Sequence, residues 1–142
     1  MKNCICLIFF FAFILIGCLH AESEYDLGNG YYLLGENYNT TISKIDDNNP
    51  AFFDDIILGR IIDCQFDKNF IIVYRNASLR AKVYFNLQDS LWETQRGKDS
   101  LQYWIIEKRN DVVIGPLTKN EYLLRRKELD ISGNLKLNPI SE

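Results

Sequence analysis

The chain of 142 residues is 47% hydrophobic, 13% aromatic and 25% charged, and its formal net charge is −3. This composition is typical of a globular protein rather than a disordered one, and the length fits a single domain. No nucleic-acid partner is expected, because phosphate binding needs a clustered basic surface. The densest basic run, Arg125-Arg126-Lys127, has Glu121, Glu128 and Asp130 around it. It indicates a solvated helix face, with an anion or lipid-headgroup patch as the alternative.

The N-terminus carries one basic residue, Lys2, followed by an apolar run over residues 4–19. A bilayer core needs about 20 helical residues, so this run is short for a spanning helix and suits a signal peptide. The segment Leu15-Ile16-Gly17-Cys18 resembles the lipobox of bacterial lipoproteins. The resemblance implies cleavage between Gly17 and Cys18 and attachment of a lipid to the Cys18 thiol. Two alternatives are an ordinary cleavage site at Leu19-His20-Ala21, which gives a secreted protein, and an uncleaved anchor.

These features predict three parts of the chain. Residues 1–17 are the lipoprotein signal peptide, residues 18–29 are the lipidated cysteine and a tether, and residues 30–138 form a single globular β-rich domain. The lipid on Cys18 then holds the protein on the extracytoplasmic side of the cell membrane or outer membrane. With Cys18 lipidated and Cys4 and Cys6 removed, only Cys64 remains. No intrachain disulfide can form, and Cys64 is predicted to be a small core residue.

The strands follow in chain order. Runs at 30–34 and 40–45 read as strands, and residues 58–66 and 70–74 read as a hairpin around Asp67-Lys68-Asn69. In that hairpin we expect Leu58, Ile62, Cys64 and Phe66 on one face. Residues 77–101 fit helical and strand periods alike, with a strand at 81–87 favoured. A second hairpin is predicted from residues 103–107 and 112–115, which makes an antiparallel meander of about six strands.

The clearest helix signal lies in residues 115–133. Thr118 and Glu121 have the spacing of a capping box, and Leu117 and Tyr122 have that of a hydrophobic staple. Gly133 is the expected stop. Tyr122, Leu129 and Ile131 are expected to face the sheet, and Leu135 and Leu137 to add a short terminal strand. The predicted fold class is therefore mainly β (α+β), an antiparallel meander with one C-terminal α-helix packed on the sheet.

Catalytic and metal sites are not expected. The single histidine, His20, falls in the predicted tether, where no folded shell holds it for catalysis or metal binding. Gly28-Asn29-Gly30 precedes a strand rather than a helix, which is the wrong context for a phosphate loop. The pairs Asp46-Asp47 and Asp54-Asp55 are assigned to turns and caps, with a calcium site or glycoside hydrolysis as the alternative. No cofactor is predicted.

Six aromatic residues in or beside the predicted loops and strand starts are the candidate binding surface: Tyr31, Tyr32, Phe52, Phe53, Trp92 and Trp104. Protein interfaces and sugar platforms both use such side chains. A core position is the alternative for each of them.

Four segments together resemble an uncharacterised family of small bacterial lipoproteins, a domain of unknown function. They are DLGNGYYLL (26–34), ILGRIIDCQFDKNFIIVYR (57–75), YWIIEK (103–108) and GPLTKNEYLLRRKEL (115–129). The resemblance implies no catalytic residues. The expected function is a non-enzymatic, lipid-anchored module that binds an envelope protein near the membrane, for example as an immunity protein or inhibitor. The alternative is a glycan-binding, small-ligand-binding or hydrolytic domain that uses the carboxylate pairs and loop aromatics.

Overall fold

The computed structural model describes residues 24–35, 40–77 and 100–138. Within them the protein is mostly β, with eight strands in two antiparallel sheets of four strands each and one C-terminal helix. The predicted fold class is confirmed, and the strands follow chain order in both sheets. The structure adds two strands that the sequence pattern did not predict and divides the meander into two layers. The predicted strand at 81–87 lies outside the described residues.

The first sheet contains β1 (Glu24–Gly28), β2 (Tyr31–Leu34), β3 (Thr41–Asp46) and β4 (Asn49–Ile57), in that order. The turn after β1 has Asn29 in the left-handed region, with φ 57°, followed by Gly30 at φ 77°. The sequence pattern assigned residues 18–29 to the tether and began the domain at residue 30. The structure instead pairs Glu24 with Leu34, so the folded chain already includes β1.

The second sheet contains β5 (Arg60–Phe66), β6 (Phe70–Asn76), β7 (Leu101–Glu107) and β8 (Val112–Leu117). Both predicted hairpins are present. The first turn is closed by Asp67, whose Oδ1 accepts hydrogen bonds from the backbone N–H groups of Asn69 and Phe70, each at 2.8 Å. This Asx-type turn is a local interaction, which is why the sequence pattern located it correctly.

A bulge in β5 overturns one expectation about its faces. Ile61 pairs with Arg75 and Asp63 pairs with Tyr74, so one residue of β5 is extra between them. Ile62 consequently packs on the outer side of the second sheet, whereas Cys64 packs on the inner side. The prediction that Ile62 and Cys64 share one face was wrong, because a bulge shifts the alternation by one residue.

The two sheets pack face to face around one apolar core. The first sheet contributes Leu27, Tyr31, Ile42 and Ile57, and the second sheet contributes Ile71, Val73, Trp104 and Ile106. All of these side chains are buried. The predicted assignment of Cys64 to a core is supported, since it packs partly buried against this cluster.

Two cations are also buried between the sheets. Arg75 donates from Nε and Nη2 to Gln102 Oε1, at 2.9 and 2.7 Å, and from Nη1 to the Leu58 carbonyl. Burial lowers the pKa of Arg75 to about 10, which still leaves it charged at neutral pH. Lys108 Nζ donates to the Leu27 carbonyl of the first sheet. The Lys108 bond joins the two sheets, and the Arg75 bonds go to the second sheet and to the connection between β4 and β5, because a buried charge must find polar partners.

The helix α1 (Lys119–Glu128) begins as the sequence predicts. Thr118 Oγ1 accepts from the Glu121 N–H, and the Glu121 carboxylate accepts from the Thr118 N–H at 2.8 Å, which completes the capping box. The helix ends earlier than expected. Asp130, at φ 50°, takes the left-handed position, and the Ile131 N–H donates to the Arg126 carbonyl at 3.0 Å. This Schellman-type ending, rather than Gly133, stops the helix.

A second apolar cluster joins α1 to the outer side of the second sheet. Tyr103 stacks between Tyr74 and Tyr122, with ring centroids 4.8 and 4.7 Å apart. Ile131 is buried here and Leu129 packs beside it, as predicted. The prediction of a short terminal strand was wrong. Leu135 and Leu137 pack on this cluster, but they lie in turns and irregular chain. The domain therefore has three layers, namely sheet, sheet and helix.

Candidate binding surface

Two of the six candidate aromatic residues are core residues. Tyr31 is 1% exposed and Trp104 is 3% exposed, and both lie between the sheets. Their assignment to a binding surface was wrong, because each side chain is covered by the opposite sheet. Trp92 lies outside the described residues. Of the six candidates, Tyr32, Phe52 and Phe53 therefore remain for a binding surface.

Tyr32 and Phe53 form an edge-to-face pair, with ring centroids 5.3 Å apart and planes at 83°. Neighbouring side chains on a strand point to opposite faces, so Tyr32 lies on the outer face of the first sheet while Tyr31 lies on the inner face. Phe53 is 39% exposed. We call Tyr32 and Phe53 the aromatic pair. It is an accessible apolar contact on the sheet that does not carry the helix.

Phe52 is the most exposed of these aromatic side chains, at 62%. It lies in an irregular stretch of β4, because Ile45 pairs with Phe53 while the next residue, Asp46, pairs with Asn49. Phe52 is therefore an exposed apolar side chain next in sequence to the aromatic pair.

The acidic pair in β4 does not converge on one point. Asp54 lies opposite Lys44 and Asp55 lies opposite Ser43, on opposite faces of the strand. Ser43 Oγ donates to Asp55 Oδ1 at 2.7 Å. Asp46 Oδ1 accepts from the Asn48 N–H at 2.8 Å, which is a turn role, as predicted for the first pair. Within residues 24–35, 40–77 and 100–138 no three metal-ligating side chains cluster.

A polar bridge links the first sheet to the β7–β8 turn. Tyr31 Oη donates to Asp111 Oδ1 at 3.1 Å, and Lys44 Nζ pairs with Asp111 Oδ2 at 2.8 Å. The Lys44 hydrogen bond is the main reason that the pKa of Asp111 is lowered, and the Tyr31 hydroxyl lowers it further. Burial, with the Asp111 charge second, raises the pKa of Tyr31. Tyr31 thus stays a neutral donor, which suits a structural bridge.

Cys64 does not have the environment of a nucleophile. Burial raises the pKa of its thiol to about 12, and the neighbouring Asp63 carboxylate raises it as well. A reactive cysteine needs a lowered pKa, since the thiolate is the nucleophile. This agrees with the core role that the alternating pattern predicts.

Sequence reasoning missed a surface on α1. Leu123 and Leu124 are 53% and 58% exposed, on a helix that otherwise presents charged side chains. Beside them a shallow pocket of about 190 Å³ lies between α1 and the C-terminal segment. One signal in the sequence could have indicated this surface, namely the dipeptide Leu123-Leu124 directly before three cations. A helix that packs one apolar stripe on a sheet does not require two adjacent leucines there.

Within the described part of the chain no helix is long and apolar enough to cross a bilayer. The predicted signal peptide, Cys18 and residues 19–23 of the predicted tether lie outside the described residues.

Two four-stranded antiparallel sheets, one capped helix and exposed apolar side chains on both outer layers define a small, mostly β domain. The chain belongs to the family described as protein of unknown function (DUF3997), whose model matches residues 28–141. This confirms the resemblance to an uncharacterised family. No curated protein and no solved structure matches the chain significantly.

Proposed function

We propose that the protein is a lipid-anchored cell-envelope protein whose domain binds another protein close to the membrane and catalyses no reaction. The lipobox-like Leu15-Ile16-Gly17-Cys18 supports the anchor. One acyl chain binds a membrane reversibly, whereas the two or three chains of a lipidated N-terminal cysteine anchor stably.

The position of β1 strengthens the argument for proximity. Only five residues separate Cys18 from Glu24, the first residue of the first sheet. Even fully extended, that stretch reaches about 20 Å. A domain tethered so shortly meets partners that lie in the membrane or directly at its surface.

The single observation that carries protein binding is the accessible aromatic surface of β2 and β4. Tyr32 and Phe53 contact each other on the outer face of the first sheet, and the adjacent Phe52 is 62% exposed. Exposed aromatic side chains are enriched where proteins bind partners. An immunity or inhibitor role is one concrete form of such binding.

The anchor is tested by the intact mass of the mature protein from the membrane fraction. A chain that starts at Cys18 and carries added acyl mass is the expected result. A lipid-free chain that starts at Glu22 would contradict the anchor and remove the proximity argument.

The binding surface is tested by photo-cross-linking in native envelopes, with a benzophenone side chain at position 53 and a control at the exposed Lys68. We expect position 53 to capture the same protein in repeated preparations and position 68 to miss it. The purified domain should compete with capture, and the Phe53→Ala domain should compete less well. Capture that is equal at both positions would contradict this surface.

A glycan is the alternative occupant of the aromatic pair, because sugar rings also pack on aromatic faces. Hydrolysis by Asp54 and Asp55 has little geometric support, since their side chains point to opposite faces. A glycan array distinguishes the two proposals. Binding that is lost in both Tyr32→Ala and Phe53→Ala would favour a glycan ligand over a protein partner.

A further inference from the structure

One flank of α1 combines an exposed apolar side chain with cations. Residues three and four apart are neighbours on a helix surface, so Lys119, Arg126 and Lys127 surround Leu123. Leu123 is 53% exposed, and the adjacent Leu124 is 58% exposed. We call Lys119, Leu123, Arg126 and Lys127 the basic flank.

The acidic side chains of α1 are engaged within the helix and do not neutralise the basic flank. The Glu121 carboxylate accepts from Thr118 N–H and Oγ1, both at 2.8 Å. The Glu128 carboxylate pairs with Arg125 at 2.8 Å. No carboxylate of the described residues pairs with Lys119 or Lys127.

Arg126 is held in place by neutral acceptors. Its guanidinium donates to the Tyr122 hydroxyl at 2.9 Å and to the carbonyls of Ser132 and Leu135 at 2.9 and 2.6 Å. None of these groups cancels its charge. Arg126 therefore presents a fixed positive charge at the base of the flank.

Helix capping explains only part of this charge. Cations near a helix C-terminus stabilise the helix dipole, which accounts for the position of Lys127. Lys119 is the first residue of α1, where the same dipole disfavours a cation. Its position calls for another reason.

A pocket adjoins the basic flank. It has a volume of about 190 Å³, and its walls include the rings of Tyr103 and Tyr122 and the side chains of Leu123 and Leu137. Lys119, Arg126 and Lys136 line the same pocket. The nearby Asp63 accepts from the Asn138 N–H at 2.6 Å and from Gln65 Nε2 at 3.0 Å. Apolar walls with cations suit an anionic headgroup attached to an apolar chain.

We propose that the basic flank of α1, with Lys136, docks the domain on an anionic phospholipid bilayer. This inference deepens the proposed function and rests on its placement of the protein at a membrane. Leu123 enters the interface, and Lys119, Arg126, Lys127 and Lys136 contact lipid phosphates. A leucine flanked by Lys and Arg on one helix side is typical of such interfacial helices. Docking then fixes the orientation of the domain on the membrane.

The test uses the chain from residue 18 onward with Cys18→Ser, which retains every described residue and carries no lipid. Co-flotation is measured with vesicles of phosphatidylcholine alone and of phosphatidylcholine mixed with phosphatidylglycerol. We expect binding to the anionic vesicles only, and weaker binding as salt is added. Lys119→Gln and Lys127→Gln should each lower the affinity about fivefold, and Leu123→Gln should lower it as well.

Lys68→Gln is the matched control, since it removes an exposed lysine from the β5–β6 turn and leaves the basic flank unchanged. It should bind like the parent chain, and circular dichroism should show that all variants are folded. Equal binding to both vesicle types, or an equal loss in Lys68→Gln, would overturn the proposal. Binding to soluble polyglutamate with the same dependence on Lys119 and Lys127, but not to vesicles, would overturn it in favour of an acidic protein partner.

The vesicle experiment tests membrane docking separately from the lipid anchor, because its chain carries no lipid. The intact mass of the native protein tests the anchor and does not depend on α1. A failure of the docking proposal is therefore distinguishable from a failure of the proposed lipid anchor.

Discussion

Replacement of Gly115 by alanine should destabilise the domain strongly, because the new methyl group meets a side chain that cannot yield. A Cβ at this position would lie 2.5 Å from Trp104 Cδ2 and Cε3. Trp104 is 3% exposed, and the Arg75 guanidinium lies over its ring at 5.1 Å. Its Nε1 makes no hydrogen bond with any described residue. The ring can move only by displacing core neighbours.

Two costs combine at Gly115. Overpacking of a filled core costs about 1–3 kcal/mol, and φ +152° is a backbone conformation that residues with a Cβ rarely adopt, at a further cost of about 1–3 kcal/mol. Alanine also reduces the entropy of the unfolded chain, which offsets about 0.4–1 kcal/mol. The net loss is about 3 kcal/mol. With a urea m-value of about 1.5 kcal/mol per molar, the midpoint should fall by about 2 M.

Two other glycines separate these costs when unfolding is followed by far-UV circular dichroism. At Gly30, φ is +77° and a Cβ meets nothing within 4 Å, so Gly30→Ala measures backbone strain alone. At Gly133 a Cβ also meets nothing within 4 Å, and Gly133→Ala should be neutral or slightly stabilising. Gly115→Ala should be the least stable of the three. In combination with Trp104→Phe it should cost less than the sum of the two single changes.

Unfolding of Gly115→Ala at the same urea concentration as Gly30→Ala would contradict this prediction. Additive effects of Gly115→Ala and Trp104→Phe would contradict it as well. Either result would mean that the methyl group and the indole ring do not compete for the same space.

Two further predictions concern titration. Lys44 and Tyr31 hold the folded-state pKa of Asp111 below its ordinary value of about 4. The ionised Asp111 carboxylate therefore stabilises the fold at a pH above this ordinary value, and the stabilisation is lost as the pH falls through the folded-state pKa. Asp111→Asn should thus be less stable than the parent near neutral pH in thermal unfolding, and the difference should vanish in strong acid; a constant difference would contradict the bridge. In the chain with Cys18→Ser that starts at residue 18, iodoacetamide should label Cys64 on the order of 10²–10³ times more slowly than in urea, and equal rates would contradict its burial.

Turns and caps were predictable because their signals are local. Asp67 closes the first hairpin by accepting a hydrogen bond from a backbone N–H group two residues later. The capping box that begins α1 joins Thr118 and Glu121, which are three positions apart. Each arrangement is complete without the rest of the fold. The apolar runs of β6 and β7 were equally clear, because central strands that are covered on both faces are mostly apolar.

β4 was not predicted because its pattern does not alternate. Its first six residues are exposed, and the register shift between Ile42 and Ser43 leaves Ile56 as an extra residue on β4. Both effects hide the period of two that identifies a strand. β1 was missed because a polar stretch with one buried side chain, Leu27, resembles a tether until it pairs with β2.

The candidate surface was half predictable. Tyr31 and Tyr32 are adjacent and chemically identical, yet Tyr31 is buried and bonded to Asp111 while Tyr32 contacts Phe53 at the surface. Strand alternation requires that the two differ, but only the position of the second sheet decides which one is covered. The same reason places Trp104 in the core.

By itself the sequence determined the β character of the domain, its two tight hairpins, the start of α1 and the lipobox-like segment that motivates the anchor. These follow from short-range chemistry: turn residues, capping side chains and apolar periods. The tertiary structure decided the division into two sheets, the burial of Arg75 and Lys108 between them, and the exposure of Leu123 beside the cations of the basic flank. These features depend on which faces of the strands and the helix pack together. That packing joins segments far apart in the sequence, so the local residue pattern does not determine it.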